Sequence, residues 1–365
     1  MTRQVQVQLG DRSYTVSVGS GLLAEAGKAA ASLPGARRAV VIADSNVAAL
    51  YGPTCLEALR GAGLQSDLLS FPAGEADKTL QTCSGLFDSL FALRPTVDRR
   101  AVVVALGGGV TGDVAGFVAA TALRGLRFIQ CPTTLLAAVD ASVGGKTGVD
   151  HPAGKNLIGA FHQPVAVLID VDLLKTLSAG EFANGLAECV KHGVIRDAAL
   201  LDYLEQNREA ILARQPDCLT DLIARNVAIK AAVVSGDERE SGQREHLNFG
   251  HTVGHAIENC VGYGNISHGQ AVALGMVAAC RMAVDRGLIG SDSAARVEKL
   301  LSSLGLPVRR QGLDARRVWD LMLRDKKALA GKVRMVLPTR LGAVATFEDI
   351  TPQAVTRAVE YLAKG

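Results

Sequence analysis

Near Leu177 the patterning of the chain changes, and that change limits the possible folds more than any single motif does. Before it, short β-branched runs alternate with stretches of helical periodicity. Residues 5–9 and 14–18 read as a hairpin, and 39–43, 66–71, 101–106, 127–131 and 165–170 as further strands. Between them, 48–62, 79–93 and 110–122 have helical spacing. Alternation of this kind predicts a parallel sheet with helices on its faces. After Leu177, segments 181–196, 199–213, 217–235, 251–260, 269–286 and 291–304 all read as helices, and only 333–337 with 343–347 reads as a β hairpin. The expectation is an α/β N-terminal domain with a Rossmann-like parallel sheet over 1–177, then a mainly α-helical C-terminal domain over 178–365. A chain of 365 residues has the length for two domains.

Composition excludes several function classes. Lys and Arg total 39 against 36 Asp and Glu, a net charge of +3, which lacks the excess of a nucleic-acid-binding protein. The uncharged stretch 259–280 contains Asn259, Asn265, Ser267, His268 and Gln270, so it does not read as a membrane helix. The first residues alternate apolar and polar without an export-signal core. Seven scattered cysteines without a CxxC pair predict reduced thiols, and the cytoplasm is the expected compartment.

Two loops in the first half suit anions. The run 101–106 leads into Gly107-Gly108-Gly109-Val110-Thr111-Gly112-Asp113, whose glycines at 107, 109 and 112 match dinucleotide-loop spacing at a helix start. The acidic residue usually found about 20 positions on is missing, but Asp44 and Asn46 follow a neighbouring strand and could reach ribose hydroxyls. The bland alternative is a glycine-rich turn without a ligand. Further on, Thr133, Thr134, Asp140 and Lys146 lie among small residues. Position 140 is Asp where a P-loop needs Gly, so the reading is a phosphate-binding lysine rather than a P-loop. Lys155-Asn156 follows in another glycine-containing loop.

All seven histidines fall between 151 and 268. His251 and His255 stand at i, i+4, a spacing used by zinc ligands, although Thr252 replaces the glutamate of an HExxH protease. Glu188 shares a helical segment with Lys191 and His192, and His268 opens the next helix. Two imidazoles and a carboxylate would leave a coordination position open, as in a catalytic zinc site. Lys191, Lys230, Arg244, Lys326, Lys327 and Arg124 add positive charge, which suits a small, multiply anionic, hydroxylated substrate.

With these motifs in this order the sequence resembles the 3-dehydroquinate synthase family over nearly its whole length. The resemblance rests on Gly74-Glu75 with Lys78, on 107–113, on Pro132-Thr133-Thr134, and on Asp140 through Gly144-Gly145-Lys146-Thr147. It continues through Gly154-Lys155-Asn156, 185–191, 248–258, His268-Gly269 and Asp325-Lys326-Lys327. It implies that Glu188, His251 and His268 bind zinc or cobalt, and that His255 faces the substrate for proton transfer instead of joining His251 on the metal. It places NAD against Asp44, Asn46, Glu75, Lys78, Gly108, Gly109, Val110, Thr111, Gly112, Asp113, Thr133, Thr134, Lys155 and Thr176, with Lys146 touching NAD or the substrate phosphate. The phosphate would also meet Asn156, Asn248, one of Lys326 and Lys327, and Arg124, the last from a second subunit of a homodimer. Lys230 and Arg244 would take the substrate carboxylate, and Asp140, Lys191 and Glu240 its hydroxyls. Other sugar phosphate cyclases, of the 2-deoxy-scyllo-inosose or valiolone type, would share fold, NAD and metal but use substrates without a carboxylate. A metal-dependent polyol dehydrogenase would accumulate NADH.

Overall fold

A computed structural model of the chain describes residues 1–239, 242–262, 265–324 and 333–364. Two compact units result, Met1–Leu177 with Pro216–Ser235, and Ser178–Gln215 with Gly236–Gly365. The patterning change at Leu177 is a boundary between them. The helix Pro216–Gly236, expected within 178–365, packs instead with the sheet unit over most of its length. Its periodicity shows an apolar face but not which surface covers that face. Partners distant in sequence decide that: Arg3 Nε donates to Asp221 at 2.9 Å and the Gln8 N–H to Ser235 Oγ at 3.1 Å.

In chain order the strands of the first unit are β1 (Arg3–Val7), β2 (Tyr14–Gly19), β3 (Arg38–Asp44), β4 (Gln65–Phe71), β5 (Val102–Gly107), β6 (Arg127–Pro132), β7 (Lys146–His151), β8 (Gly154–Phe161) and β9 (Ala166–Asp170). Seven form one sheet in the order β1-β2-β9-β6-β5-β3-β4, parallel except where β1 meets β2. Successive side chains on a strand point to opposite faces. Val40, Ile42, Val103 and Ala105 accordingly enter one core with Leu86, Leu90, Val114 and Val118. Val41, Ala43, Val104 and Leu106 enter the other with Ala26, Ala30, Cys55 and Leu59. A sheet covered on both faces explains why β3 and β5 are continuous apolar runs.

The separate antiparallel hairpin of β7 and β8 is not expected from the sequence, which reads Lys155-Asn156 as part of a glycine-containing loop. Gly148 sits opposite Gly159 in its register, and glycine carries no strand propensity.

The second unit is mainly helical. It contains the helices Ala179–Arg196, His251–Val261, His268–Asp285 and Ser291–Ser303, and a hairpin of β10 (Met335–Arg340) and β11 (Ala343–Phe347). The expected helix 199–213 is broken at Asn207 into Ala198–Gln206 and Arg208–Leu212. Among the described residues no helix is long and apolar enough to cross a membrane.

None of the seven cysteines forms a disulfide, and five are buried. Burial pushes the thiols of Cys55 and Cys280 up to about 12 and that of Cys83 to about 11. The thiolate is the reactive form, and at pH 8 a thiol with a pKa of about 12 is ionised in only about one molecule in 10,000. Iodoacetamide on the native protein should therefore modify Cys218 and Cys260 first, as read by peptide mass spectrometry. Equally fast modification of Cys55 would contradict this packing.

Candidate active site

The carboxyl ends of β3, β5 and β6 lie side by side, because β5 pairs with β3 on one edge and β6 on the other. The order runs outward to β4 from β3 and to β6 from β5, so β3 and β5 flank the topological switch point where open α/β sheets bind nucleotides. Here β5 passes through Gly107 and Gly108 straight into the helix Gly109–Thr121. A Cβ on Gly107 would lie 2.4 Å from Thr111 Oγ1, so this turn closes only on glycine. The amides of Gly109, Val110, Thr111 and Gly112 open the helix, where backbone N–H groups attract anions.

Asp44 ends β3 and caps the helix Ser45–Gly61. Its Oδ1 accepts from the backbone N–H of Asn46 and Val47, each at 3.1 Å, and its Oδ2 accepts from the Thr111 hydroxyl at 3.1 Å. Thr133 N–H donates to the Gly107 carbonyl at 2.9 Å, and Thr134 Oγ1 accepts from Ala137 N–H at 3.1 Å. Thr176 lies 2.6 Å from the Tyr51 hydroxyl, which belongs to the helix that Asp44 caps. Tyr51 has no sequence motif to mark it.

Lys78, Lys155 and Lys230 of this unit each face a carboxylate. Lys78 is buried, and its ammonium donates to Asp113 Oδ2 and Asn156 Oδ1, each at 2.5 Å, linking the glycine-loop helix to β8. Burial raises the pKa of Asp113, and the neighbouring Lys78 charge opposes that rise. Lys155 faces Glu75 at 3.6 Å. Lys230 is buried and donates to both the carboxylate and the backbone carbonyl of Asp140. Lys146 is exposed at the start of β7. Arg124 is exposed in a turn where Leu123 and Arg124 both take left-handed backbone, φ 50° and 66°.

In the helical unit, three segments converge on one carboxylate. Glu188 is fully buried on the helix Ala179–Arg196, and its Oε2 pairs with the Lys191 ammonium one turn on. His251 and His268 each occupy the first position of a helix, His251–Val261 and His268–Asp285. These helices pack closely because Gly275 has no side chain; a Cβ there would lie 1.9 Å from the Gly250 carbonyl oxygen. Glu188 Oε1 is 3.5 Å from His251 Nε2 and 3.6 Å from His268 Nε2. The ligand atoms of the three residues lie within 4.8 Å of one another. His251 Nδ1 lies 3.2 Å from the Phe249 carbonyl, and donation to it leaves the Nε2 lone pair turned toward Glu188.

This gathering corrects the pairing suggested by i, i+4 spacing. The His255 ring stands 5.4 Å from that of His251 and 6.0 Å from that of His268, beside the group that could hold a metal and not within it. Spacing puts two rings on one face of a helix, but the carboxylate and the second imidazole come from other helices. Burial, then the Lys191 charge, pushes His251 well below the usual imidazole range despite Glu188. At His268 burial also acts downward, but the hydrogen bond and charge of Glu188 outweigh it and the pKa rises. Two imidazoles and a carboxylate form the donor set of a catalytic zinc centre with a position left for substrate.

Arg244 is buried in the turn Gln243–Asn248, with its guanidinium donating to the Glu238 carbonyl and its N–H to Asp237 Oδ2 at 3.1 Å. Asn248 is half-buried four residues on. Glu240, Lys326 and Lys327 lie outside the described residues. His162 instead meets the Leu126 carbonyl at 2.8 Å and stacks on Phe128. The Phe249 carbonyl is invisible to sequence reading because any residue could supply it.

Residues 68–184 match the family 3-dehydroquinate synthase N-terminal, and residues 185–328 match 3-dehydroquinate synthase C-terminal. The 3-dehydroquinate synthase of Desulforamulus reducens is 46% identical over 347 residues, 95% of this chain and 96% of that protein. Among solved structures, 2-epi-5-epi-valiolone synthase from Streptomyces hygroscopicus, with NAD+ and Zn2+ bound, superposes with a TM-score of 0.88 at 31% identity over 98% of each chain. A 2-deoxy-scyllo-inosose synthase with carbaglucose-6-phosphate, NAD+ and Co2+ also gives 0.88, at 26% identity over 98% of this chain and 100% of that one. The fold is thus that of the dehydroquinate synthase-like sugar phosphate cyclases. Within that class, the chain belongs to the 3-dehydroquinate synthase family.

Glu188→Gln and His251→Ala should each weaken zinc binding more than the ~10–100-fold that loss of an outer partner costs. His255→Ala should bind zinc about as well as wild type, measured by competition with a chromophoric chelator. Full affinity in His251→Ala would contradict the ligand set.

Proposed function

We propose that the chain converts 3-deoxy-D-arabino-heptulosonate 7-phosphate to 3-dehydroquinate and phosphate, as a phosphate-eliminating lyase of the shikimate pathway and aromatic amino acid biosynthesis. The sequence of changes is oxidation at C5, elimination of phosphate, re-reduction, ring opening and intramolecular aldol closure. The observation that carries this reading is 46% identity to a 3-dehydroquinate synthase over 95% of the chain. NAD and zinc or cobalt are its cofactors, supported by the structural relatives that hold them and by the Glu188, His251 and His268 group.

The glycine-loop amides hold the pyrophosphate of NAD, Asp44 and Asn46 its ribose, and Glu75, Lys78, Asp113, Thr133, Thr134, Lys155 and Thr176 complete its contacts. Glu188, His251 and His268 hold the metal. When bound, NAD supplies a hydride acceptor that is regenerated, and the metal supplies a Lewis acid for neighbouring hydroxyl oxygens. His255 moves the proton of the hydroxyl that is oxidised. Asp140, Lys191 and Glu240 orient ring hydroxyls. Lys146, Asn156, Asn248, one of Lys326 and Lys327, and Arg124 bind the phosphate, which itself accepts the C6 proton as it leaves. Anchoring the substrate at both its charged ends limits it to conformers that react in order. The reading includes a cytoplasmic homodimer in which a second copy supplies Arg124; the cysteines, none of them in a disulfide, support the reduced compartment.

Lys230 and Arg244 together favour a carboxylated substrate over the substrates without a carboxylate that related cyclases would use. Arg244→Ala should raise KM for the carboxylated substrate by at least about tenfold, the effect of losing a charge-assisted hydrogen bond, and change binding of an analogue without the carboxylate less. Equal losses for both would contradict the role.

Purified protein with NAD and zinc should release phosphate from 3-deoxy-arabino-heptulosonate 7-phosphate, stop on chelation, and show no net absorbance of NADH. Phosphate release only from glucose 6-phosphate or sedoheptulose 7-phosphate, or steady NADH accumulation with a polyol, would overturn the proposal.

A further inference from the structure

Glu188 and His268 come from different helices, and a polar contact joins those helices beside them. Asn184 is 5% exposed on the helix Ala179–Arg196 and lies one turn before Glu188 on the same face. Its Oδ1 accepts from the hydroxyl of Ser267, the residue immediately before His268, at 2.5 Å. Ser267 N–H in turn donates to Gln270 Oε1 at 3.1 Å, half of a capping box that holds the first turn of the helix His268–Asp285. The contact leaves no spare room: a Cβ on Gly269 would lie 2.5 Å from Asn184 Cα and 2.6 Å from its carbonyl oxygen.

His268 stands in the first turn of its helix, where backbone N–H groups lack intrahelical partners and the chain frays unless tied. A tether from outside its own helix steadies a ligand in that position, and metal–ligand distances in well-formed sites lie within about 0.2 Å of their typical values. We propose that Asn184 and Ser267 are a positioning pair for the metal centre, fixing His268 against Glu188 through their shared hydrogen bond while Gly269 permits the close crossing. The proposal rests on the reading of Glu188, His251 and His268 as metal ligands. Neither Asn184 nor Ser267 touches the ion or the substrate in this account. Their effect passes through the residues beside them.

The test uses the full chain, zinc alone as ligand, and competition with a chromophoric chelator. Ser267→Ala and Asn184→Ala should each weaken zinc binding about tenfold, the lower end of what outer partners contribute. The double variant should lose no more than either single one, because both act through one bond. Ser267→Thr, which keeps the hydroxyl, should bind as wild type. Wild-type zinc affinity in Ser267→Ala, with only a lowered Tm of the metal-free protein, would mean that the pair merely packs, and would overturn the proposal. Additive losses in the double variant would overturn it as well. If Asn184→Ala does not fold, the comparison of Ser267→Ala with Ser267→Thr decides by itself. His251→Ala separates the two readings: zinc kept by that variant defeats the ligand set, whereas zinc lost there and kept by Ser267→Ala defeats only the positioning role.

Discussion

A carboxylate without exposed surface cannot stay ionised unless cations or a metal answer it. Glu188 is in that position, and the helical unit is arranged around its needs. Lys191 answers one oxygen from the same helix, and His251 and His268 face the other from two more helices. Bringing three helices that close requires small residues where they touch, which is why Gly275 packs on Gly250 and Gly269 on Asn184. The gathering of these side chains and the glycine content of this region are one constraint seen twice.

The sheet unit solves a different problem with the same means. Its central strands β3 and β5 are apolar on both faces over most of their length, and β3 ends in the polar Asp44. Asp44 shows how the two demands meet. As a helix cap and acceptor for Thr111 it ties the ends of β3 and β5 together, and it does so at the switch point where a nucleotide would bind. Lys78 does similar work deeper down, where its buried ammonium joins Asp113 to Asn156. Residues proposed to bind NAD that are also structural ties are held rigid before any ligand arrives.

Much of this was legible in the sequence. The apolar runs and the glycine loop mark β3, β5 and the helix behind them, because burial on both faces and a turn without side chains leave strong local traces. The β7–β8 hairpin was not, since Gly148 opposite Gly159 removes the strand pattern. Nor was the placement of the helix Pro216–Gly236 with the sheet unit, which depends on partners more than 200 positions away in sequence. At the metal group, spacing alone favoured His251 with His255. It took the family resemblance to point to His268, because the three residues that could hold a metal belong to three helices and no local pattern records that. The main-chain acceptor at Phe249 left no trace.

The central claim is that two imidazoles and the Glu188 carboxylate form the metal centre, with His255 left for the substrate. X-ray absorption at the zinc edge of the zinc-loaded protein tests it directly. The account predicts two imidazole ligands with oxygen at about 2.0–2.2 Å and no sulfur, and the same imidazole count in His255→Ala. A third imidazole that disappears in His255→Ala, or a sulfur ligand at about 2.3 Å, would contradict it.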